Sequence, residues 1–295
     1  MTQNDVERGG ATVSVSSTAQ RVQLSEFLKS CRARLPPTSV GLPPAGRLRT
    51  PGLRREDVAA LAGLSATWYT WLEQGRDVRA SDRVLDSLSR TLRMSAEERD
   101  YLFSLAQHRS APTLPSREVE ISPAVRRTLD ALNLPALAMT PRWDVIYWNR
   151  MMTAAIRDYG AMPPQDRNLI KILMMSPERR ALADDYEAMS RRILSKLRVD
   201  YGQAGADPSF DSLIEEMNEI CPMFRHLWRS PEITGHSEGV HPERHPVLGV
   251  ITFAHSSYVV EGAPALRVVI YAPYDAESAA KVDQLFRETR AASLT

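Results

Sequence analysis

The sequence predicts two domains of different class, an all-α bundle over the first third of the chain and an α+β domain over the rest. Three observations carry this. Five amphipathic helical stretches follow one another between residues 21 and 107. Residues 108–122, HRSAPTLPSREVEIS, are polar with two prolines and read as a linker. In residues 123–295, short apolar runs flank several helical stretches, the pattern of one antiparallel sheet covered on one face by inserted helices.

A chain of 295 residues is long enough for two such cores. Its 43% hydrophobic and 25% charged content fits a globular protein, and no run approaches the roughly 20 apolar residues of a membrane span. Residues 1–20 are polar, lack the apolar centre of a signal peptide, and read as a disordered arm. Cys31 and Cys221 are the two cysteines and form no CxxC, which points to a reduced, cytoplasmic protein. The net charge of +1 conceals a local bias. Between residues 21 and 55, Arg21, Lys29, Arg32, Arg34, Arg47, Arg49, Arg54 and Arg55 face only Glu26. Such a block suits a surface that contacts phosphates, each contact releasing counterions.

Taking the elements in order, Leu24, Phe27, Leu28, Cys31 and Leu35 form one apolar stripe, ended by Pro36-Pro37. A Pro- and Gly-rich loop carrying Arg47 and Arg49 follows. Val58, Ala59, Leu61 and Ala62 then give a short helix an apolar face. Gly63 permits the left-handed turn after it, and Ser65 is placed to cap the next helix. Tyr69 and Leu72 face the core before Gly75 ends that helix. Short helix, glycine turn and a second helix at a steep angle make a helix-turn-helix, whose second helix enters the major groove of double-stranded DNA. Ser81 is placed to cap a helix that buries Val84, Leu85, Leu88 and Leu92. Ser95 and Glu98 form a capping box ahead of Tyr101, Leu102 and Leu105.

The string AALAGLSATWYTWLEQGR, with its flanking helices, resembles the lambda-repressor-like, or XRE, family of helix-turn-helix regulators. The resemblance implies that Ser65, Ala66, Thr67, Thr70 and Trp71 face base edges, while Arg54, Arg55 and Arg76 contact phosphates. That family often has Gln or Arg where Ala66 and Trp71 stand, so methyl and shape contacts are expected to replace bidentate base reading. Arg47 and Arg49 are placed to run along the backbone or enter a narrow minor groove. Operators of this fold are commonly read by dimers, so a homodimer is expected.

In the second domain, Ala136–Thr140 and Asp144–Trp148 read as a hairpin about Pro141-Arg142. Helical stretches follow at 149–159, about 165–203 and about 208–229, the last broken at Pro222. Strands return at Val247–Phe253 and Ala265–Tyr271, and 275–290 is a final helix. With V-I-Y-W-N, D-R-N-L and F-R-x-L-W, residues 24–285 resemble the MmyB-like subfamily, although 230–264 departs from its pattern. The resemblance implies a PAS-like C-terminal domain that holds a fatty acid. Met139, Trp148, Met151, Met152, Leu173, Met174, Met175, Phe224, Leu227 and Trp228 then supply soft apolar surface. Asn149, Arg167, Asn168 and Arg225 become candidates for a carboxylate head group.

His236, His241 and His245 have a spacing that suits a metal site, but the Gly- and Pro-rich surroundings read as a solvated loop. No GxSxG, GxGxxG or phosphate-binding loop is present, so no enzyme, metal or nucleotide cofactor is expected.

Overall fold

Residues 18–43, 52–106, 119–183, 185–204, 207–229 and 239–292 are described by a computed structural model. The N-terminal unit has the five helices that the periodicity predicts. They are α1 (Thr18–Ala33), α2 (Arg55–Ala62), α3 (Ala66–Glu73), α4 (Asp82–Thr91) and α5 (Ala96–Ala106), with a 3₁₀ turn at Pro37–Val40. Phe27, Leu28, Leu53, Val58, Tyr69, Leu72 and Leu88 fill their shared core. Phe27 and Tyr101 meet edge to face, ring centres 4.9 Å apart, and so join α1 to α5.

Local signals act here as read. Gly63 ends α2 with φ 69°, and the Ser65 hydroxyl accepts from Trp68 N at 3.0 Å. Ser95 and Glu98 close their capping box in both directions. Two details differ. Ser81 occupies the cap position of α4 without a side-chain cap bond. Leu61 is exposed, because Val58, Ala59 and Ala62 already fill the buried face of α2. The expected arm and part of the linker, residues 1–17 and 107–118, lie outside the described residues, as do Arg47, Arg49 and His236.

The C-terminal unit opens with α6 (Pro123–Ala131), then β1 (Ala136–Met139) and β2 (Val145–Trp148), which pair as the predicted hairpin. The helical stretch expected at 165–203 is three helices, α8 (Leu169–Met175), α9 (Pro177–Leu182) and α10 (Tyr186–Ala204), with α7 (Arg150–Ala155) before them. Pro177 at the first position of α9 breaks the run. α11 (Pro208–Ile220) and α12 (Pro222–Trp228) divide at Pro222 as read. Then come β3 (Val240–His245), β4 (Gly249–Val260), β5 (Ala263–Pro273) and α13 (Ala276–Ala292).

The five strands form one antiparallel sheet in the order β2-β1-β5-β4-β3. β3 replaces the solvated loop expected around His241 and His245. It is an edge strand, where Pro242 and charged residues are tolerated. The sheet is also covered on both faces rather than one. Leu137, Met139, Val269 and Tyr271 face the main core, while Ala136, Ala138 and Leu266 alternate to the other side beneath Leu129 of α6. α10 faces the sheet side along its middle turns and packs on α5 of the first unit.

Candidate functional site

On α3 the exposed residues fall on one stripe. Ala66 and Thr67 are exposed, Thr70 is half-buried, and Trp71 leaves 39% of its surface in solvent. Ser65 is spent on the cap and still exposed, and Trp68 is half-buried against the core. Gln74, exposed at the end of the same stripe, was not singled out from the sequence. Arg54 and Arg76 are exposed, and the Arg76 guanidinium lies 5.8 Å from the Trp71 ring centre.

Arg55 has a second occupation. Its Nε donates to Glu73 Oε1 at 2.8 Å, while Arg32 donates to both oxygens of the same carboxylate. Glu73 is fully buried, and Ser25 Oγ donates to its backbone carbonyl at 2.6 Å. Burial opposes the Glu73 charge, but the bonds and charges of Arg32 and Arg55 outweigh it and hold the carboxyl below its usual value. The pairing ties α3 to α1 and α2 and fixes the angle at which the stripe is presented.

In the C-terminal unit a cavity of about 440 Å³, within the usual range for small-molecule sites, lies between α10 and the inner face of the sheet. Met139, Leu169, Leu173, Ile193 and Val269 make its apolar walls, and Trp143 stands on the β1–β2 turn. Met189, Arg192, Ile193 and Lys196 face it from α10 at helical spacing. A polar corner is built by His241, His255 and Tyr271, whose ring centres lie 5.4–6.1 Å apart, beside Arg179. Arg179 is ion-paired to Glu243.

His241 Nε2 and Ser257 Oγ are buried with no hydrogen-bond partner among the described residues. Burial, then the charge of Arg179 and the proximity of His255, push His241 down to about 3, so its ring is neutral at physiological pH. Among the described lining residues Arg192 and Lys196 bring positive charge, whereas the charge of Arg179 is met by Glu243, whose Oε1 lies 3.9 Å from His241 Nε2.

Of the ligand residues expected from sequence, Met139 and Leu173 line this cavity. The head-group role expected of Asn149 is corrected by its bonding. It is 1% exposed, donates to the carbonyls of Leu129 and Leu134, and accepts from the backbones of Ala136 and Met152. Asn168 is consumed in the same way, donating to Arg142 O and Asp144 Oδ1 and capping α8. Arg167 donates to Met162 O and covers Trp148 at 5.2 Å. Arg225 donates to the carbonyls of Asn218 and Glu219 at the end of α11. Met152, Met174, Phe224 and Trp228 are buried in core packing, Phe224 and Trp228 stacked 5.3 Å apart, and Trp148 packs on Tyr159. These residues build the domain, while the cavity is lined elsewhere.

Two family models match the chain. The model described as a helix-turn-helix domain covers residues 23–102. The model described as the ligand-binding domain of MmyB-like transcription regulators covers residues 121–285, more than half of the chain. The chain belongs to the MmyB-like transcription regulators. It is thus a DNA-binding regulator with a ligand-binding domain, and both matched regions are regulator domains. No curated protein gives a significant match. Among the described residues of this MmyB-like chain, no helix is long and apolar enough to cross a membrane, and no His, Cys, Asp or Glu cluster is suited to a metal.

Proposed function

We propose that this regulator binds operator DNA in a sequence-specific way, under the control of a small amphiphile, a fatty acid or acyl derivative, held in its C-terminal cavity. The cavity carries the reading. Its walls suit an acyl chain, and it holds two buried polar atoms without a partner among the described residues, with Arg192 and Lys196 of α10 lining the same space. A buried polar atom without a partner is costly, and a ligand head group relieves that cost. An acid suits this cavity better than a neutral head, since Arg192 and Lys196 on its α10 wall favour an anion.

On the DNA side, Ser65, Ala66, Thr67, Thr70 and Trp71 face base edges, and Arg54, Arg55 and Arg76 meet phosphates. Arg47 and Arg49 add backbone or minor-groove contacts. The sheet order, with helices inserted between β2 and β3, supports a PAS-like domain. The regulator acts in the cytoplasm as a homodimer that reads two half-sites about one helical turn apart. Light scattering on the DNA complex tests the dimer, and a single copy per duplex rejects it.

Native mass spectrometry of the gently purified protein tests the ligand. The expected result is an added mass that fragments to an acyl carboxylic acid. A bare protein that also fails to take up dodecanoic acid contradicts the reading and leaves a ligand-free interaction module.

A further inference from the structure

α10 belongs to both functional units. One stripe of it, from Met189 to Lys196, lines the cavity over about 10 Å at 1.5 Å per residue. Its last two turns dock on the DNA-binding bundle. Val199 packs against the N-terminal core. A Cβ at Gly202 would lie 2.5 Å from Ser104 Oγ and 3.3 Å from the Tyr101 ring, so at this close approach of α10 to α5 an added methyl forces the Ser104 hydroxyl to turn away and the Tyr101 ring to give by a few tenths of an ångström. Arg198, 2% exposed, donates to Leu227 O and lies over the Trp228 ring at 4.7 Å. Its charge reaches across the seam. Burial pushes the Glu26 carboxyl of α1 up, and Lys29, Arg198 and Arg229 oppose that rise.

The two stripes of α10 are joined at Asp200. Its Oδ2 accepts from Trp143 Nε1, on the cavity wall, at 2.7 Å, and Arg267 of β5 donates to both its oxygens. From the seam, Tyr101 contacts Phe27 of α1, and α1 holds the recognition helix through Arg32 and Ser25 on Glu73. Packed contacts therefore run without a gap from the cavity wall to α3.

We propose that α10 is the coupling element of this regulator, with cavity occupation displacing it and the glycine-tight seam at Gly202 passing that displacement to the DNA-binding bundle. This rests on the cavity being the ligand site. Coupling needs an element whose position both sites bias, and α10 touches both. A mere tether between independent domains needs neither a buried Arg198 nor a glycine at the seam.

The test uses the full-length protein stripped of lipid, dodecanoic acid as probe, and a duplex selected from a random pool. In the parent, the acid is expected to change the DNA Kd about fivefold or more, and DNA to change the acid's Kd by the same factor. In Gly202→Ala the acid's own Kd should stay within about twofold, while its effect on DNA binding falls below about twofold. Adding Ser104→Ala to Gly202→Ala removes the nearest obstacle and should restore the coupling. Gly202→Ala with full coupling overturns the proposal. Acid that binds the parent without changing DNA affinity also overturns it but leaves the cavity as a ligand site. Acid that does not bind at all removes the reading of the cavity instead. Urea unfolding then judges α10 without any ligand. The parent is expected to unfold in one transition that splits in Gly202→Ala, and a parent already unfolding in two independent steps overturns the proposal.

Discussion

Trp143 and Asp200 are joined by a hydrogen bond of 2.7 Å from the indole Nε1 to a carboxylate that is 3% exposed. Trp143 sits at φ 71°, a conformation rare for a bulky residue. The turn that holds it donates Trp143 N to Thr140 O and accepts Leu169 N at its carbonyl. An aromatic wall of the cavity is thus fixed to α10 by a polar bond and by backbone geometry together.

Trp143→Phe keeps an aromatic ring, deletes the donor and vacates the volume of the indole's five-membered ring. Asp200 retains Arg267 and loses one partner in a buried site. The expected cost is about 1–3 kcal/mol in urea denaturation. A change within about 0.5 kcal/mol would mean that the indole bond adds nothing to the seam.

Glu73 anchors the recognition helix, and Glu73→Ala leaves Arg32 with no carboxylate in a largely buried position. The loss is expected near 3 kcal/mol, at the low end for a broken buried pair because Arg55 is partly solvated. Since the native carboxyl lies below its usual value near 4.5, its stabilisation is present above that pH and is lost as pH falls through the depressed native value. Denaturation curves of the parent and Glu73→Gln should therefore differ most near neutrality and converge in acid. A gap that stays constant down to pH 2 contradicts the ion-pair account.

The DNA-facing residues separate by the kind of effect they have. Arg54→Ala, at an exposed residue beside the helix-turn-helix, is expected to weaken binding to every duplex and to lower the salt-dependence slope by about one. Thr67→Ala, fully outside the ion-pair network, is expected to change preference at one base pair by about 1–3 kcal/mol. Binding isotherms across a panel of single-base operator variants read both. Equal effects of the two substitutions on all sequences would show that α3 is turned differently on DNA.

The polar corner predicts which amphiphiles bind. Decanoic acid is expected to bind about tenfold tighter than 1-decanol or methyl decanoate, the yield of one charge-assisted hydrogen bond. His241→Leu should narrow that preference while leaving the affinity for 1-decanol nearly unchanged. Calorimetric titration decides it, and equal affinities in the parent place recognition on the apolar walls alone.

The N-terminal bundle was legible because its signals are local. Gly63, Ser65 and the Ser95–Glu98 box each act within four residues of themselves, and the apolar stripe of α1 needs no partner to be seen. Partners distant in sequence were not legible. Arg55 looks like a free cation until folding brings Glu73 against it from 18 residues away. The cavity draws on α8, α9, α10 and four strands, so no window of sequence contains it. Asn149 and Asn168 stood out as polar residues beside apolar runs, which is equally the mark of a side chain that staples backbone. β3 escaped notice because its proline and charges belong to an edge strand, where alternation is weak. One signal was present and unused: Met189, Arg192, Ile193 and Lys196 recur at helical spacing with charge at two positions facing the interior.

In the proposed function, a molecule in the C-terminal cavity controls DNA binding by the N-terminal helices. The most direct test is the DNA Kd of the stripped protein, measured by fluorescence anisotropy on a selected duplex with and without saturating dodecanoic acid. Two isotherms separated by about fivefold or more are expected. Superimposed isotherms, with calorimetry showing the acid bound, would contradict that control.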